Sequence, residues 1–318
     1  MSEVNLDDTL SFAIGIAREA GRMILEGQAK RFALDAAEEK EKVNSVDLVT
    51  EVDKAVEAFI VQKIKEAYPT HQFIGEETFD GQKITNEPTW IDGTTNFIHG
   101  FPMVCTSIGL AVKGVPVIGV IYNPFLDQLW YDCLLKLPHS ADSQVRSAAK
   151  GQGAFLNKTR RLPLTGKPKP LASLGQALIG VEYGSSRSSP ALPSKVKTFQ
   201  TLASHTDEGG KMVHSLRSLG SAALNICMVA SGGLDMYWEI GCWAWDVCAG
   251  ICILTEAGGM SLGGKDTALT GQVDGALLTG RKYLFVRSIA RTETESVEEV
   301  QQRFAKEFYE TTADDFDP

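Results

Sequence analysis

A chain of 318 residues with 43% hydrophobic and 22% charged side chains has enough apolar surface for one large domain or two intimately packed ones. Its formal net charge of -9 argues against a nucleic-acid partner, which usually meets a basic face, and no apolar run approaches the roughly 20 residues of a membrane helix. The opening Met1-Ser2-Glu3-Val4-Asn5-Leu6-Asp7-Asp8 is acidic and lacks a signal peptide's basic and apolar regions, so the cytoplasm is the expected location.

From residue 7 to about 28, Leu10, Ala13, Ile14, Ala17, Ala20, Ile24 and Gly27 recur at helical spacing, with Asp7 or Asp8 as cap; the pattern predicts an amphipathic docking helix. Residues 30–45 are charged and read as a loop. A second helical pattern runs from Asp53 to about Tyr68, burying Val56, Phe59, Ile60 and Ile64, and Pro69 ends it. Phe73-Ile74-Gly75 reads as a short strand. Residues 104–131 are rich in Val, Ile, Leu and aromatics, broken at Lys113-Gly114-Val115-Pro116 and Asn123-Pro124, as consecutive antiparallel strands would be. Helices followed by a run of strands make this half α+β.

The proline-rich patch 162–170 is the best boundary, dividing an N-terminal half, 1–165, from a C-terminal half, 166–318. Beyond it, strands at 178–183 and 234–238 alternate with helices at 221–231 and 245–257, the last ended by Gly258-Gly259, in α/β fashion. The acidic tail, 311–318, is expected to fray. Cys105, Cys133, Cys227, Cys242, Cys248 and Cys252 form no Cys-x-x-Cys pair and read mostly as buried free thiols.

Chemistry-bearing residues are mainly carboxylates. Glu76-Glu77 follows the short strand, although such pairs are usually solvated. In Trp90-Ile91-Asp92-Gly93-Thr94-Thr95-Asn96-Phe97, an aspartate before a tight glycine turn can aim its carboxylate and the following amides and hydroxyls at one point, while a bare Asp-Gly-Thr is more often an ordinary turn. Asp246 opens an almost wholly apolar helix, where it either caps the helix or binds a cation. Hard oxygen ligands of this kind suit Mg²⁺, and two such ions would activate water and hold a phosphate without a histidine or cysteine nucleophile. An acidic chain can bind phosphate in this way.

In order, Val46-Asp47-Leu48-Val49-Thr50-Glu51-Val52-Asp53, Phe73-Ile74-Gly75-Glu76-Glu77-Thr78, residues 92–97 and Glu239-Ile240-Gly241-Cys242-Trp243-Ala244-Trp245-Asp246 resemble the successive motifs of the inositol monophosphatase family. Gly184-Ser185-Ser186-Arg187 and Arg217-Ser218-Leu219-Gly220-Ser221-Ala222-Ala223 extend the likeness, which runs from the first helix to about Gly280. The resemblance implies a layered αβαβα fold of mixed α+β class, a Mg²⁺-dependent, lithium-sensitive phosphomonoesterase acting on a small phosphorylated cyclitol or sugar, and a homodimer. It implies that Glu76, the Ile91 carbonyl, Asp92 and Asp246 bind metal, and that Thr94 binds metal or the attacking water, with Asp53 orienting that water as base. Gly93 and Thr95 would meet phosphate; Ser185, Gly220, Ala222 and Glu239 fall where the family contacts ring hydroxyls.

The sequence departs from the family's pattern twice. The family has four more residues between its aromatic residue and the Gly-Thr, including an aspartate that bridges two metals, and four residues of strand span about 13 Å. Because four is even, sliding the upstream strand keeps its buried face and brings Thr89 to the missing aspartate's position, with Glu87 on the same face as a substitute carboxylate. The second departure is an expansion at 134–147, read as a surface loop that touches the dimer interface. Myo-inositol 1-phosphate is the favoured substrate; a nucleotide 3'-phosphate, fructose bisphosphate or a quinate-pathway metabolite stays open, as does a non-catalytic homologue unable to assemble the metal pair.

Overall fold

The computed structural model describes residues 5–33, 40–41, 48–49, 51–95, 100–133, 153–157, 159–313 and 316. The expansion at 134–147 and half of the acidic tail, residues 314, 315, 317 and 318, lie outside the described residues. So do Asn96 and Phe97.

Helices α1 (Leu6–Ala33) and α2 (Glu51–Ala67) form an outer layer. Asp7 and Asp8 in the first turn of α1, and Glu51 and Asp53 in that of α2, place negative charge against the partly positive helix N-terminus. Two corrections concern the stretch expected to be a loop. Helix α1 runs on past Gln28 to Ala33, because Ala29, Lys30 and Arg31 are good helix formers. Beyond it, β1 (Lys40–Glu41) pairs antiparallel with β2 (Leu48–Val49).

Beneath these helices lies a seven-stranded sheet whose order follows the chain: β3 (Gln72–Gly75), β4 (Thr89–Thr95), β5 (Cys105–Val112), β6 (Val115–Asn123), β7 (Gln128–Cys133), β8 (Phe155–Leu156) and β9 (Arg160–Arg161). Only β3 and β4 run parallel; the hairpins at Lys113-Gly114 and after Asn123 join antiparallel neighbours as the sequence predicts. Ala13, Ala17, Ala20 and Ile24 of α1 and Val56, Ile60 and Ile64 of α2 bury against Trp90, Ile108, Leu110, Ile118 and Val120 of this sheet.

The opposite face of the sheet receives α4 (Ala222–Ser231) and α5 (Ala244–Glu256). Both are buried almost throughout, which explains why α5 is apolar on every side. Gly109 of β5 and Gly119 of β6 let α5 approach closely, since a Cβ at either would collide with Cys248 or the Ala249 carbonyl. These helices also cover a second sheet, ordered β11 (Ser215–Arg217), β10 (Leu178–Val181), β12 (Met236–Ile240), β14 (Lys282–Val286) and β13 (Met260–Leu262). Its outer face packs on α3 (Ala191–Ala203) and α7 (Val297–Tyr309) through Phe199, Leu202, Val300, Phe304 and Phe308. A short helix, α6 (Gly275–Thr279), precedes β14.

The result is the expected five-layered α+β arrangement. The two sheets fall on either side of residues 162–170, yet one apolar core spans both halves: Ile91 and Trp130 share it with Ala249, Tyr237 and Phe285. Hydrogen bonds cross as well, from Trp130 Nε1 to Ser231 Oγ at 3.1 Å and from the Gly153 amide to Glu256 at 3.0 Å. Cys105, Cys227, Cys248 and Cys252 are buried free thiols. Among the described residues, no helix is long and apolar enough to cross a membrane.

Candidate functional site

Carboxylates collect in two regions of the molecule, and their surroundings differ. In the first region, Asp53 and Glu57 lie one turn apart on α2 and are both buried. The Glu57 carboxyl sits over Gly75, where a Cβ would come within 2.6 Å of it, and Gly75 is the register partner of Asp92. Glu57 accepts the Glu77 amide at 2.6 Å, while its Oε1 makes no hydrogen bond among the described residues. Burial accordingly raises its pKa above the ordinary carboxylate value.

Asp92 sits in the middle of β4, only 1% exposed, opposite Ile108 of β5. The tight turn expected at Gly93 is not formed. Gly93, Thr94 and Thr95 continue the strand and pair with Ser107, Thr106 and Cys105 without a register shift. The physical reason is the shortened signature, in which strand pairing runs unbroken through the Asp-Gly-Thr-Thr stretch. Strand alternation then decides direction. Ile91 belongs to the core under α4 and α5, whereas Trp90 belongs to the core under α1 and α2, so Asp92, two residues from Trp90, shares the α2-facing side. The Glu76 amide donates to the Asp92 carbonyl at 3.3 Å, which brings Glu76 beside the same strand end. Thr89 is buried and donates its hydroxyl to the Glu87 carbonyl at 3.0 Å, and Glu87 is exposed.

Asp246 lies on the other side of the sheet, at the N-terminus of α5. Its carboxylate accepts the Trp243 amide at 2.8 Å, so it caps the helix. Over this turn, Trp243 stacks with Trp245, and Arg281 lies 4.0 Å from the Trp243 ring centroid while donating to the Gly241 carbonyl. Asp92 and Asp246 are therefore presented from opposite faces. Among the described residues, no three His, Cys, Asp or Glu side chains converge to hold a metal ion. As arranged, Glu76, Ile91, Asp92 and Asp246 are not gathered into a Mg²⁺ pair.

The second region is built around β10, β12 and the start of α4. Glu239 of β12 is buried; its Oε1 accepts from Lys195 Nζ at 3.0 Å and from the Ile240 amide at 2.9 Å, and the Tyr237 hydroxyl donates to Oε2 at 3.3 Å. Burial pushes its pKa up to about 7 against the opposing pull of Lys195. Glu182, directly after β10, accepts from Ser218 Oγ, the Leu219 and Gly220 amides and Asn225 Nδ2 at 2.5 to 2.9 Å. This fixes the turn into α4, where Gly220 adopts a left-handed φ of 70°. Gly220 thus spends its amide on Glu182, Ala222 is buried at the first turn of α4, and Ser185 stands exposed beyond β10.

The sequence motifs therefore bring Ser185, Gly220, Ala222 and Glu239 to one region and Asp53, Glu76 and Asp92 to another, with Asp246 at the α5 turn adjoining both: Cys242, which faces Glu239, feels its charge, and Phe79, just past Glu76-Glu77, packs on Trp243 and Trp245. Motif reading missed Glu57, Glu182 and Lys195. A signal existed for Lys195: with Ala191, Phe199 and Leu202 it forms a stripe at helical spacing on α3, so a lysine stands on an apolar face.

The sequence profile of the inositol monophosphatase family matches residues 5–310. The chain is 46% identical over 275 residues to inositol monophosphatase 2 of Saccharomyces cerevisiae, covering 85% of this chain and 84% of that protein. It is 39% identical over 333 residues to quinic acid degradation cluster protein x of Neurospora crassa, covering 96% and 93%. Among solved structures, inositol monophosphatase from Anabaena superposes with a TM-score of 0.67 at 26% identity, covering 96% of this chain and 97% of the other.

Proposed function

The chain belongs to the inositol monophosphatase family of phosphatases, and from that premise we propose that it hydrolyses a small phosphomonoester, with inositol monophosphate the first candidate, at a turnover well below that of relatives with the full signature. The observation that carries the substrate choice is the buried, oriented Glu239 carboxylate beside Ser185 and the Gly220–Ala222 turn, a group able to accept hydrogen bonds from ring hydroxyls. The 46% identity to the yeast inositol monophosphatase supports it. The Neurospora relative, named for quinic acid degradation, keeps a polyhydroxylated carboxylic ring phosphate as the next candidate. A homodimer in the cytoplasm, with neither nucleic acid nor membrane as partner, completes the proposal.

In the same reading Mg²⁺ is the cofactor, which supplies charge neutralisation on phosphate and an activated water when bound. Glu76, the Ile91 carbonyl, Asp92 and Asp246 are its proposed ligands. Thr94 and Asp53 would hold the water, and Gly93 and Thr95 the phosphate. The low turnover follows from their arrangement, in which no three such side chains converge among the described residues: phosphoryl transfer depends almost entirely on positioning and charge stabilisation, and each 1.36 kcal/mol lost is about tenfold in rate.

Phosphate release from myo-inositol 1-phosphate by the purified full chain at millimolar Mg²⁺ tests the reading. Release that requires Mg²⁺, falls with Li⁺ and runs slower than the yeast relative is the expected result. A second reading, a homologue that binds without turnover, is favoured by the opposed directions of Asp92 and Asp246. Binding by calorimetry without any release would establish that reading in place of the first. Neither binding nor release would reject both.

A further inference from the structure

Lys195 is the most deeply buried cation in the proposed substrate region, its side chain 1% exposed, and it comes from a helix that carries none of the family motifs. Its three ammonium protons have three acceptors: the Tyr183 carbonyl at 3.0 Å, Glu239 Oε1 at 3.0 Å and the Ile240 carbonyl at 2.8 Å. These acceptors belong to two separate segments. Tyr183 precedes Gly184-Ser185, and Glu239-Ile240 leads into the turn toward α5. Gly184 holds a φ of 68°, and a Cβ there would come within 2.9 Å of Nζ, so the turn closes directly over the lysine.

Stability is a poor explanation for such a group, since replacing a buried ion pair with apolar side chains is often neutral or stabilising. Its geometry serves recognition better. One Glu239 oxygen is consumed by Lys195 and the Ile240 amide, which leaves Oε2, to which the Tyr237 hydroxyl donates, to meet a ligand hydroxyl as well.

We propose that Lys195 is a positioning residue for substrate recognition, clamping the 183–187 and 239–242 segments together and orienting Glu239 so that the site selects ligands by the arrangement of their ring hydroxyls. The recognition part rests on the proposed reading of Glu239 as a substrate contact; the clamp does not. The groups facing Glu239 are Lys195 from α3, Tyr237 on its own strand, Glu182 directly after β10 and Cys242 beyond β12. Of these only Lys195 is a cation.

Three variants of the full chain, Lys195→Met, Glu239→Gln and the double variant, are compared with the wild type by calorimetric titration with myo-inositol 1-phosphate and a deoxy analogue lacking one ring hydroxyl. Lys195→Met is expected to weaken binding of the parent by about tenfold or more and to erase discrimination against the analogue. In the Glu239→Gln background the same change adds about twofold or less, because the lysine acts through the carboxylate. The pH at which affinity is half lost moves upward in Lys195→Met, since removing the cation favours the protonated carboxyl. Hydrogen exchange without ligand is expected to speed up at 183–187 and 239–242 and nowhere else.

The neutral double variant guards against a misfolded single one, as it leaves no unpaired buried charge. Unchanged affinity, discrimination and exchange in folded Lys195→Met overturn the proposal. Failure of the wild type to bind any ring phosphate overturns the substrate reading and the recognition role together, and the exchange measurement then decides the clamp alone.

Discussion

Two buried acidic regions of one molecule show opposite solutions to the same physical problem. In the proposed substrate region, Glu182 and Glu239 sit among donors: backbone amides, a serine, an asparagine, a tyrosine and a lysine. In the other region, Asp53, Glu57 and Asp92 line the interface between α2 and the sheet, and Glu57 keeps an oxygen without a hydrogen bond among the described residues. An ionised carboxylate removed from water is costly unless paired or coordinated. The first region meets that cost with the protein's own groups. The second has the composition of a cation site, and its members are not gathered into one.

The largest expected effect tests that contrast directly. Restoring a four-residue Asp-Pro segment between Trp90 and Asp92 is expected to raise Mg²⁺-dependent phosphate release by about a hundredfold or more, because it supplies the bridging carboxylate and releases the Asp-Gly-Thr stretch from the strand. Equal rates in the two chains would show that the shortened signature is not what limits turnover.

Glu239→Gln probes the other side of the comparison. It is expected to weaken substrate binding by about tenfold, read by calorimetry, while leaving the 183–187 and 239–242 segments in place. Its stability should also respond to pH in a definite direction. The folded-state pKa of Glu239, about 7, lies above its ordinary value of 4.5, so the native chain keeps a proton that the unfolded chain has released. That stabilisation is fully present below about pH 4.5 and is lost as pH rises through about 7. Denaturation midpoints of Glu239→Gln should lack this decline, and parallel pH curves for the two proteins would contradict the assignment.

Smaller effects separate the shared core from both regions. Gly119→Ala forces a methyl against the Ala249 carbonyl where α5 crosses the sheet, and an overpacked core of this kind loses about 1–3 kcal/mol in equilibrium urea denaturation. Full stability would mean that α5 can draw back from β6 more easily than the close packing implies. Ser296→Ala removes the N-cap of α7, far from either acidic region, and should cost about 1 kcal/mol with substrate affinity unchanged.

Much of the architecture could be read before the chain was folded. The spacing of Leu10, Ala13, Ala17 and Ile24 marked α1, and Lys113-Gly114 marked the β5–β6 hairpin, because period and turn chemistry are local properties. The candidate substrate residues were legible as well, since Glu239 and Gly220 lie inside contiguous motifs. Lys195 was not, because its role depends on a strand 44 residues away. Glu57 escaped for a similar reason, its carboxyl being buried only when β3 passes beneath it at Gly75.

The direction of Asp92 illustrates the boundary between the two kinds of information. Motif order was sufficient to identify the family, and through that resemblance the five layers and the residues available for chemistry. Which way Asp92 faces depends on whether the stretch Asp92–Thr95 turns or stays paired with β5, and in a strand a one-residue difference reverses the side chain. Only tertiary structure decides this, because the pairing energy lies in a neighbouring strand and the burial energy in helices on both sides. Local sequence determines the groups; their convergence is a property of the packed layers.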